Sequence, residues 1–355
     1  MALKGSAGLD RRGFLLGAGA LGTGVVLAGC TSNDPEASGD TEQASVSQAG
    51  GGNAKPGKPV TIGFSAPAAD HGWIAAITKN AQAQAKQYEE VTLRVTEGTN
   101  DVNQQISQVQ TLIDRNVDVL VILPFDGKAL TEVAREAMQK GIPVVNLDRI
   151  FSSPLAYRTW IGGDNYGMGV NAGNYIAAKL EETGKQNPVI VEVAGIDNLE
   201  LTQQRSQGFK ESLASAGFSV TARQAAEFTV ESGQQVMSTL LQAEPEIDAV
   251  WNHDDDQGVG VLAAIDQEGR DEFFMVGGAG SSRAMQQIKA GDGVLEATVL
   301  YSPSMSSSAI SLARLIGQNR GMSDLVEHEV PASLTTYSAV VTRDNVDDYM
   351  AVGFA

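Results

Sequence analysis

The sequence predicts an α/β fold of two lobes, each built on a doubly wound parallel sheet. Two patterns carry that reading. From Val60 onward, short β-rich runs alternate with stretches of helical periodicity. Near residue 188 the alternation begins again. Strands joined by crossover helices form parallel sheets covered on both faces, so a pattern that runs twice implies two sheets and two lobes.

In the first run, residues 60–65 read as strand. Residues 73–90 read as helix, with Trp73, Ile77 and Ala81 on one face. Strand 92–96 and helix 103–115 follow, with Ile106, Val109 and Ile113 in phase. Residues 117–124 form an apolar run that fits a buried strand. Helix 128–140 ends at Gly141, and 143–148 is the next strand. The second run predicts strands at 188–193, 219–221, 249–252, 273–276 and 295–300. Its helices fall near 166–183, 203–216, 232–243, 258–268 and 281–290, and residues 303–318 form one more.

Ahead of the fold lies a different kind of segment. Arg11-Arg12 precede an apolar run that starts at Phe14 and ends in Leu27-Ala28-Gly29-Cys30. A charged patch, a short apolar core and small residues at its end describe a secretory signal. At about 16 residues the run is shorter than the roughly 20 a membrane span needs. The paired arginines resemble a twin-arginine export signal, and Leu-Ala-Gly-Cys resembles the lipobox of bacterial lipoproteins. That resemblance implies a signal peptide over residues 1–29 and a lipid on Cys30, the chain's one cysteine. Residues 30–59 are rich in Ser, Gly, Ala, Gln and Asp, which reads as a lipid-anchored flexible linker. The protein is then expected in the cell envelope, at the outer face of the cytoplasmic membrane or in the periplasm.

The net charge of −18 argues against nucleic acid as a partner. It likewise gives no general attraction to anionic membranes, so the lipid would hold the chain there. No run after residue 29 is long and apolar enough to span a bilayer.

Ligands of such sheets bind beyond the carboxyl ends of the strands. Those ends carry Asp70-His71-Gly72-Trp73, Asp148-Arg149, Phe228, Trp251-Asn252-His253-Asp254-Asp255-Asp256, Gly277-Gly278-Ala279-Gly280 and Tyr301-Ser302. The helix at 203–216 adds Arg205-Ser206-Gln207-Gly208-Phe209. Three motifs in order, Leu147-Asp148-Arg149, Arg205-x-x-Gly208-Phe209 and the acidic strand end before Gly258-Val259-Gly260, resemble the ribose/galactose-type periplasmic binding proteins. These are the sugar receptors of ABC importers, and the resemblance covers residues 60–345.

That resemblance implies the type I periplasmic binding protein fold, in which the chain crosses between lobes three times. Lobe one would be 60–162 plus 302–330, and lobe two 163–301 plus 331–355. The hinge would fall at Gly162, Gly163, Ser302 and Pro331; glycine suits it because it tolerates large dihedral changes. The resemblance also implies a ligand site at Asp70, His71, Trp73, Asp148, Arg149, Arg205, Phe228, Asp254 and Tyr301. Trp73 and Phe228 would sandwich a sugar's C–H faces. Asp148 would accept from hydroxyls, and Arg149 and Arg205 would present forked donors. Asp254 replaces an amide found in many ribose-type members, and Tyr301 stands where a hinge glutamine is common. Ala279 occupies a place where the family often has Asp, so a charged acceptor is missing and the usual ribose pose is in doubt.

The implied function is capture of a monosaccharide or sugar alcohol and its delivery to an ABC permease, by a monomer without cofactor, metal or catalysis. Presentation of a ligand for chemotaxis or signalling, such as a furanosyl autoinducer-2-like compound, stays open. A nucleophile of the Gly-x-Ser-x-Gly type is absent. Asp148 and Asp254 could be cast as a glycosidase pair, but arginines beside them would hold carboxylates ionised, whereas a general acid needs a raised pKa. Asp254-Asp255-Asp256 lacks the alternating spacing of a calcium loop; at least one of these acids is expected to cap the helix before Gln257. A lac-repressor-like regulator shares the core but would carry a helix-turn-helix where this chain has its export signal.

Overall fold

The computed structural model describes residues 52–323 and 325–355. The export signal, the Cys30 anchor and the linker as far as residue 51 lie outside the described residues. From Gly52 onward the expected free linker is corrected. Gly52–Ala54 forms a short 3-10 turn, and the segment behind it is bonded to the body. Arg314 is buried and donates to Asn53 O (2.9 Å) and Lys55 O (3.1 Å), while Gln318 donates to Lys58 O (3.0 Å). A buried guanidinium must find acceptors for its five N–H groups. Glu90 supplies a carboxylate at 2.6 Å, and the carbonyls of this segment supply more.

In chain order the elements are β1 (Val60–Ser65), α1 (Gly72–Ala85), β2 (Val91–Val95), α2 (Val102–Asp114), β3 (Val119–Ile122), α3 (Gly127–Gln139), β4 (Val144–Leu147) and β5 (Thr159–Gly163). They continue with α4 (Asn165–Thr183), β6 (Ile190–Ala194), α5 (Glu200–Ser215), β7 (Ala222–Ala225), α6 (Val230–Ala243), β8 (Ala249–Asn252), α7 (Asp255–Glu268), β9 (Phe274–Ala279), α8 (Ser282–Ala290) and β10 (Leu295–Leu300). The last are α9 (Met305–Gly317), β11 (Ser333–Thr336), β12 (Val340–Thr342) and α10 (Val346–Tyr349).

Two six-stranded sheets result. The first has the order β11-β5-β4-β3-β1-β2, and every pairing in it is parallel. The second has the order β12-β10-β9-β8-β6-β7, parallel except for the antiparallel edge pair β10–β12. Continuous apolar runs make the central strands: all four residues of β3 are buried, as are all five of β6. The strand order reverses at β1 and again at β6. Such switch points open a crevice at the carboxyl ends of strands.

The chain leaves the first sheet after Gly163 and returns between Leu300 and Met305. The third crossing is a correction. It lies at 337–339, not at Val330-Pro331, because β11 pairs with Trp160–Gly163 of β5 before the chain passes to β12. Pro331 belongs to the first lobe, where its carbonyl accepts from the Thr159 hydroxyl at 2.7 Å. The strand β5, with its two glycines, reads as hinge in the sequence; here it is a full member of the first sheet.

One close approach matters for function. A Cβ on Gly169 of α4 would sit 2.0 Å from Arg205 O of α5, and one on Gly208 would sit 2.2 Å from Tyr166 O. Bare glycine backbone therefore lets α4 and α5 touch, which brings the side chains of Asn165 and Arg205 together. Phe209 completes the motif by packing against Trp251 at 4.6 Å between ring centroids.

Candidate ligand-binding site

The carboxyl ends of both sheets face one pocket of about 350 Å³. His71, Trp73, Asp148, Arg149, Arg205, Phe228, Asp254 and Tyr301 all line it. Of the nine residues expected there, Asp70 is the exception. It stands behind the wall, accepting from Asn100 (2.8 Å) and bonded to His71 Nδ1 (2.5 Å). Ile74, Leu201 and Ala279 also line the pocket. Ile74 and Leu201 escape sequence reasoning because an apolar residue on a helix gives no signal that separates pocket wall from core.

Tyr301 is the centre of the site. Its hydroxyl donates to Asp148 Oδ1 at 2.5 Å and accepts from Asn165 Nδ2 at 3.2 Å. Its carbonyl accepts from Trp73 Nε1 at 2.8 Å, and its ring lies 5.8 Å from the Trp73 ring. The Arg205 guanidinium stacks 4.5 Å above the same ring. Gly163 leaves room for this, since a Cβ there would be 2.0 Å from the tyrosine ring. Asn165, which the sequence analysis does not single out, accepts from Arg205 Nε at 2.9 Å through Oδ1. Arg205 Nη1 donates onward to His253 O at 3.2 Å.

Burial raises the pKa of Asp148; the Tyr301 hydrogen bond and the charges of Arg149 and Arg205 pull it back. Burial also lowers Arg149, against the opposing charges of Asp148 and Asp70. Arg149 Nη1 donates to Phe125 O at 2.8 Å, while its buried Nε has no partner among the described residues.

On the second lobe Asp254 is the cap of α7. Its Oδ1 accepts from the amides of Asp256 (2.9 Å) and Gln257 (3.0 Å), leaving Oδ2 for the pocket. Burial and the charge of Asp256 push its pKa up to about 6, against His71, the Gln257 amide and Arg205. Asp255 turns the other way. It accepts from the amides of Gly278, Gly280 and Ser281 and from the Thr298 hydroxyl. That grip fixes the turn which presents Ala279 to the pocket. The expected cap before Gln257 is thus Asp254, and its two neighbours have separate tasks.

Asp256 reaches across the cleft. Its Oδ2 accepts from the backbone amide of Trp73 at 2.9 Å, in the first turn of α1 on the opposite lobe. His71, the residue before that turn, provides no side-chain cap itself. Gly72 admits the carboxylate, because a Cβ there would lie 2.7 Å from Asp256 Oδ1. Burial alone would lower the pKa of His71; the Asp70 hydrogen bond and the charges of Asp254, Asp70 and Asp256 outweigh it and the pKa is raised.

Backbone strain gathers at the same place. Among the described residues five non-glycine residues have positive φ, and two of these are asparagines, Asn116 and Asn319. The other three are Asp148 (59°), Phe228 (62°) and Ala279 (88°), all in the pocket wall. Such conformations cost energy and persist where the surroundings hold them. Here β-strand pairing, the Gln257 side chain on Phe228 N (3.0 Å) and the Asp255 carboxylate hold them.

Residues 62–319 match the model of the periplasmic binding protein domain. The chain belongs to the periplasmic binding protein family. Among relatives, the ribose import binding protein RbsB of Bacillus subtilis is 32% identical over 248 residues, 70% of this chain and 78% of that protein. The galactofuranose-binding protein YtfQ of Escherichia coli is 29% identical, covering 59% of this chain and 67% of that one. A solved structure from Mycobacterium smegmatis in complex with β-D-fucofuranose superposes with a TM-score of 0.73 at 26% identity, covering 82% of this chain and 94% of that one. This periplasmic binding protein is of the ribose/galactose type, with two lobes and a cleft between them. None of its described helices is long and apolar enough to cross a membrane.

Replacing Asp256 by Ala should remove the cap that ties α1 to the opposite lobe. A lost N-cap is worth about 0.5–2 kcal/mol, here drawn from the closed arrangement. Small-angle scattering of the ligand-free Asp256→Ala chain should give a larger radius of gyration than the parent, with an unchanged far-ultraviolet spectrum. Identical scattering from the two would remove Asp256 as a latch.

Proposed function

We propose that this periplasmic binding protein captures a monosaccharide or sugar alcohol between its lobes and delivers it to the permease of an ABC importer. One observation carries the reading: Asp148 and Arg149 from the first lobe and Arg205 and Asp254 from the second line a single pocket together with Trp73 and Phe228. A sugar offers apolar C–H faces and a rim of hydroxyls that both donate and accept. Aromatic rings suit the faces, and charged groups suit the rim, where charge-assisted hydrogen bonds are the strong ones. The ligands named for its relatives, ribose and β-D-fucofuranose, support the same class. Trp73, Asp148, Arg149, Arg205, Phe228, Asp254 and Tyr301 are the residues proposed to bind it.

Closure follows from the two-sided site. Ligand touches both lobes only in the closed form, so it stabilises that form by its differential contacts. The closed form is the one proposed to dock on the permease, with the lipid on Cys30 keeping the receptor near the membrane. Transport of this kind needs no chemistry. Ala279 puts a methyl where an acceptor would grip ring hydroxyls, so ribose in its usual pose would lose a charged hydrogen bond. Asp254 Oδ2 and His71 are proposed to take over part of that grip.

Two outcomes test this. In a thermal-shift panel of aldoses, ketoses, deoxy sugars and polyols, at least one compound should raise the melting temperature of the purified chain by mass action. Arg149→Ala and Arg205→Ala should each weaken that binding by about a hundredfold while the fold persists. Normal binding by both variants would remove the site assignment.

The second concerns pH. Asp254, with a pKa near 6, becomes a charged acceptor only as pH rises through that value. Sugar affinity should therefore increase from pH 5 to pH 7, and Asp254→Asn should flatten the profile. Folding stability should respond with the opposite sign. A carboxyl whose pKa is raised on folding stabilises the native state below its unfolded value, and that contribution is lost as pH rises through 6. An affinity profile that falls from pH 5 to pH 7 would contradict the role given to Asp254.

A further inference from the structure

We infer that the cleft contains a second subsite, next to the pocket, which takes a second ring or a substituent carried by the captured sugar. The inference rests on the proposed reading of the pocket as a sugar site. Its starting point is a disproportion. Counting space open to solvent, the pocket takes up about 350 Å³ and an adjoining space between the lobes about 1000 Å³. The two share Asp148, Arg149 and Leu201 as walls. A ligand seated on Asp148 and Arg149 can therefore continue past them.

The second space has its own aromatic surface, Trp160 of β5. The indole is held in place, because Nε1 donates to Asp148 O at 2.8 Å. It also lies over Gly162, where a Cβ would meet the ring at 2.2 Å. A fixed indole is a platform for a C–H face. Facing it from α5 are side chains with spare acceptors. Gln204 Nε2 donates one of its two N–H groups to Glu200 at 2.9 Å and Gln204 Oε1 accepts nothing from the described residues; Asn198, in the loop before α5, lines the same space. Arg149, with its buried Nε unpartnered, borders both spaces.

Charge narrows the ligand class. Lys128 and Arg149 face the three carboxylates Asp126, Asp148 and Glu200 in this space. That balance offers no field for a phosphate, and neutral hydroxyls suit it better. The expected ligands are thus glycosides or disaccharides whose first ring fills the pocket.

Isothermal titration of the full chain tests this, using the monosaccharide that gives the largest thermal shift, its methyl glycosides, and disaccharides that carry the same sugar at one end. At least one substituted compound should bind about tenfold tighter than the free sugar. Ser152 is exposed and lines only the second space, so Ser152→Trp should fill it. This variant should erase the advantage and leave free-sugar affinity within about twofold. The inference falls if no substituted sugar exceeds the free one, or if Ser152→Trp weakens both alike. If neither free nor substituted sugars bind, the sugar-binding reading falls with it.

Discussion

The site depends on the hydrogen bond from the Tyr301 hydroxyl to Asp148 Oδ1. Tyr301 follows β10 of the second sheet, and Asp148 follows β4 of the first. The bond therefore ties the two sheets at the point where the chain crosses between them. The same side chain makes the contact with Asn165 and the stack under Arg205, and the backbone carbonyl of the same residue accepts from Trp73. A buried phenol donating to a buried carboxylate is worth more than the same pair in water. It does two things at once: it pulls the pKa of Asp148 down against the burial that raises it, and it joins the two lobes at the hinge.

Electrostatics sets the character of the pocket. Two arginines and two aspartates line one small pocket. Unpaired, each would be expensive to bury. Each has found a partial partner: Asp148 has Tyr301, Arg205 has Asn165 and the His253 carbonyl, Arg149 has the Phe125 carbonyl, and Asp254 has the α7 amides. Asp254 Oδ2 and Arg149 Nε remain without a hydrogen-bond partner among the described residues, and the proposed function gives that capacity to a polar ligand. The positive φ angles of Asp148, Phe228 and Ala279 belong to the same economy, since strained strand ends aim side chains into a cleft that regular strands would not reach.

Much of this was legible in the sequence. The alternation of apolar runs and helical periodicity gives the two parallel sheets, because burial on both faces demands those patterns. Topology directs attention to the strand ends, and the family resemblance names nine residues there and on α5, of which eight line the pocket. What escaped has physical reasons. Strand β5 hides behind Gly162-Gly163, which read as hinge, and β11 is a polar edge strand without an apolar signature, so the third crossing was put too early. Gly52 to Lys58 reads as linker because composition does not reveal the buried Arg314 that captures its carbonyls. Asn165 carries no local mark either; its partners lie 40 and 136 residues away in sequence. Asp70 neighbours His71 in sequence, yet on a turn adjacent side chains diverge, and Asp70 holds the histidine from behind the pocket wall.

The most direct test of the account is a calorimetric titration of the Tyr301→Phe variant against the parent chain, with the sugar that the thermal-shift panel selects. The ring, its stack with Arg205 and the carbonyl accepting from Trp73 would all remain; only the hydroxyl on Asp148 would go. If that bond organises the site, affinity should fall by about tenfold, in line with one charge-assisted hydrogen bond lost, while the chain stays folded. Unchanged affinity in Tyr301→Phe would show that Asp148 is held without it, and the central claim would be wrong.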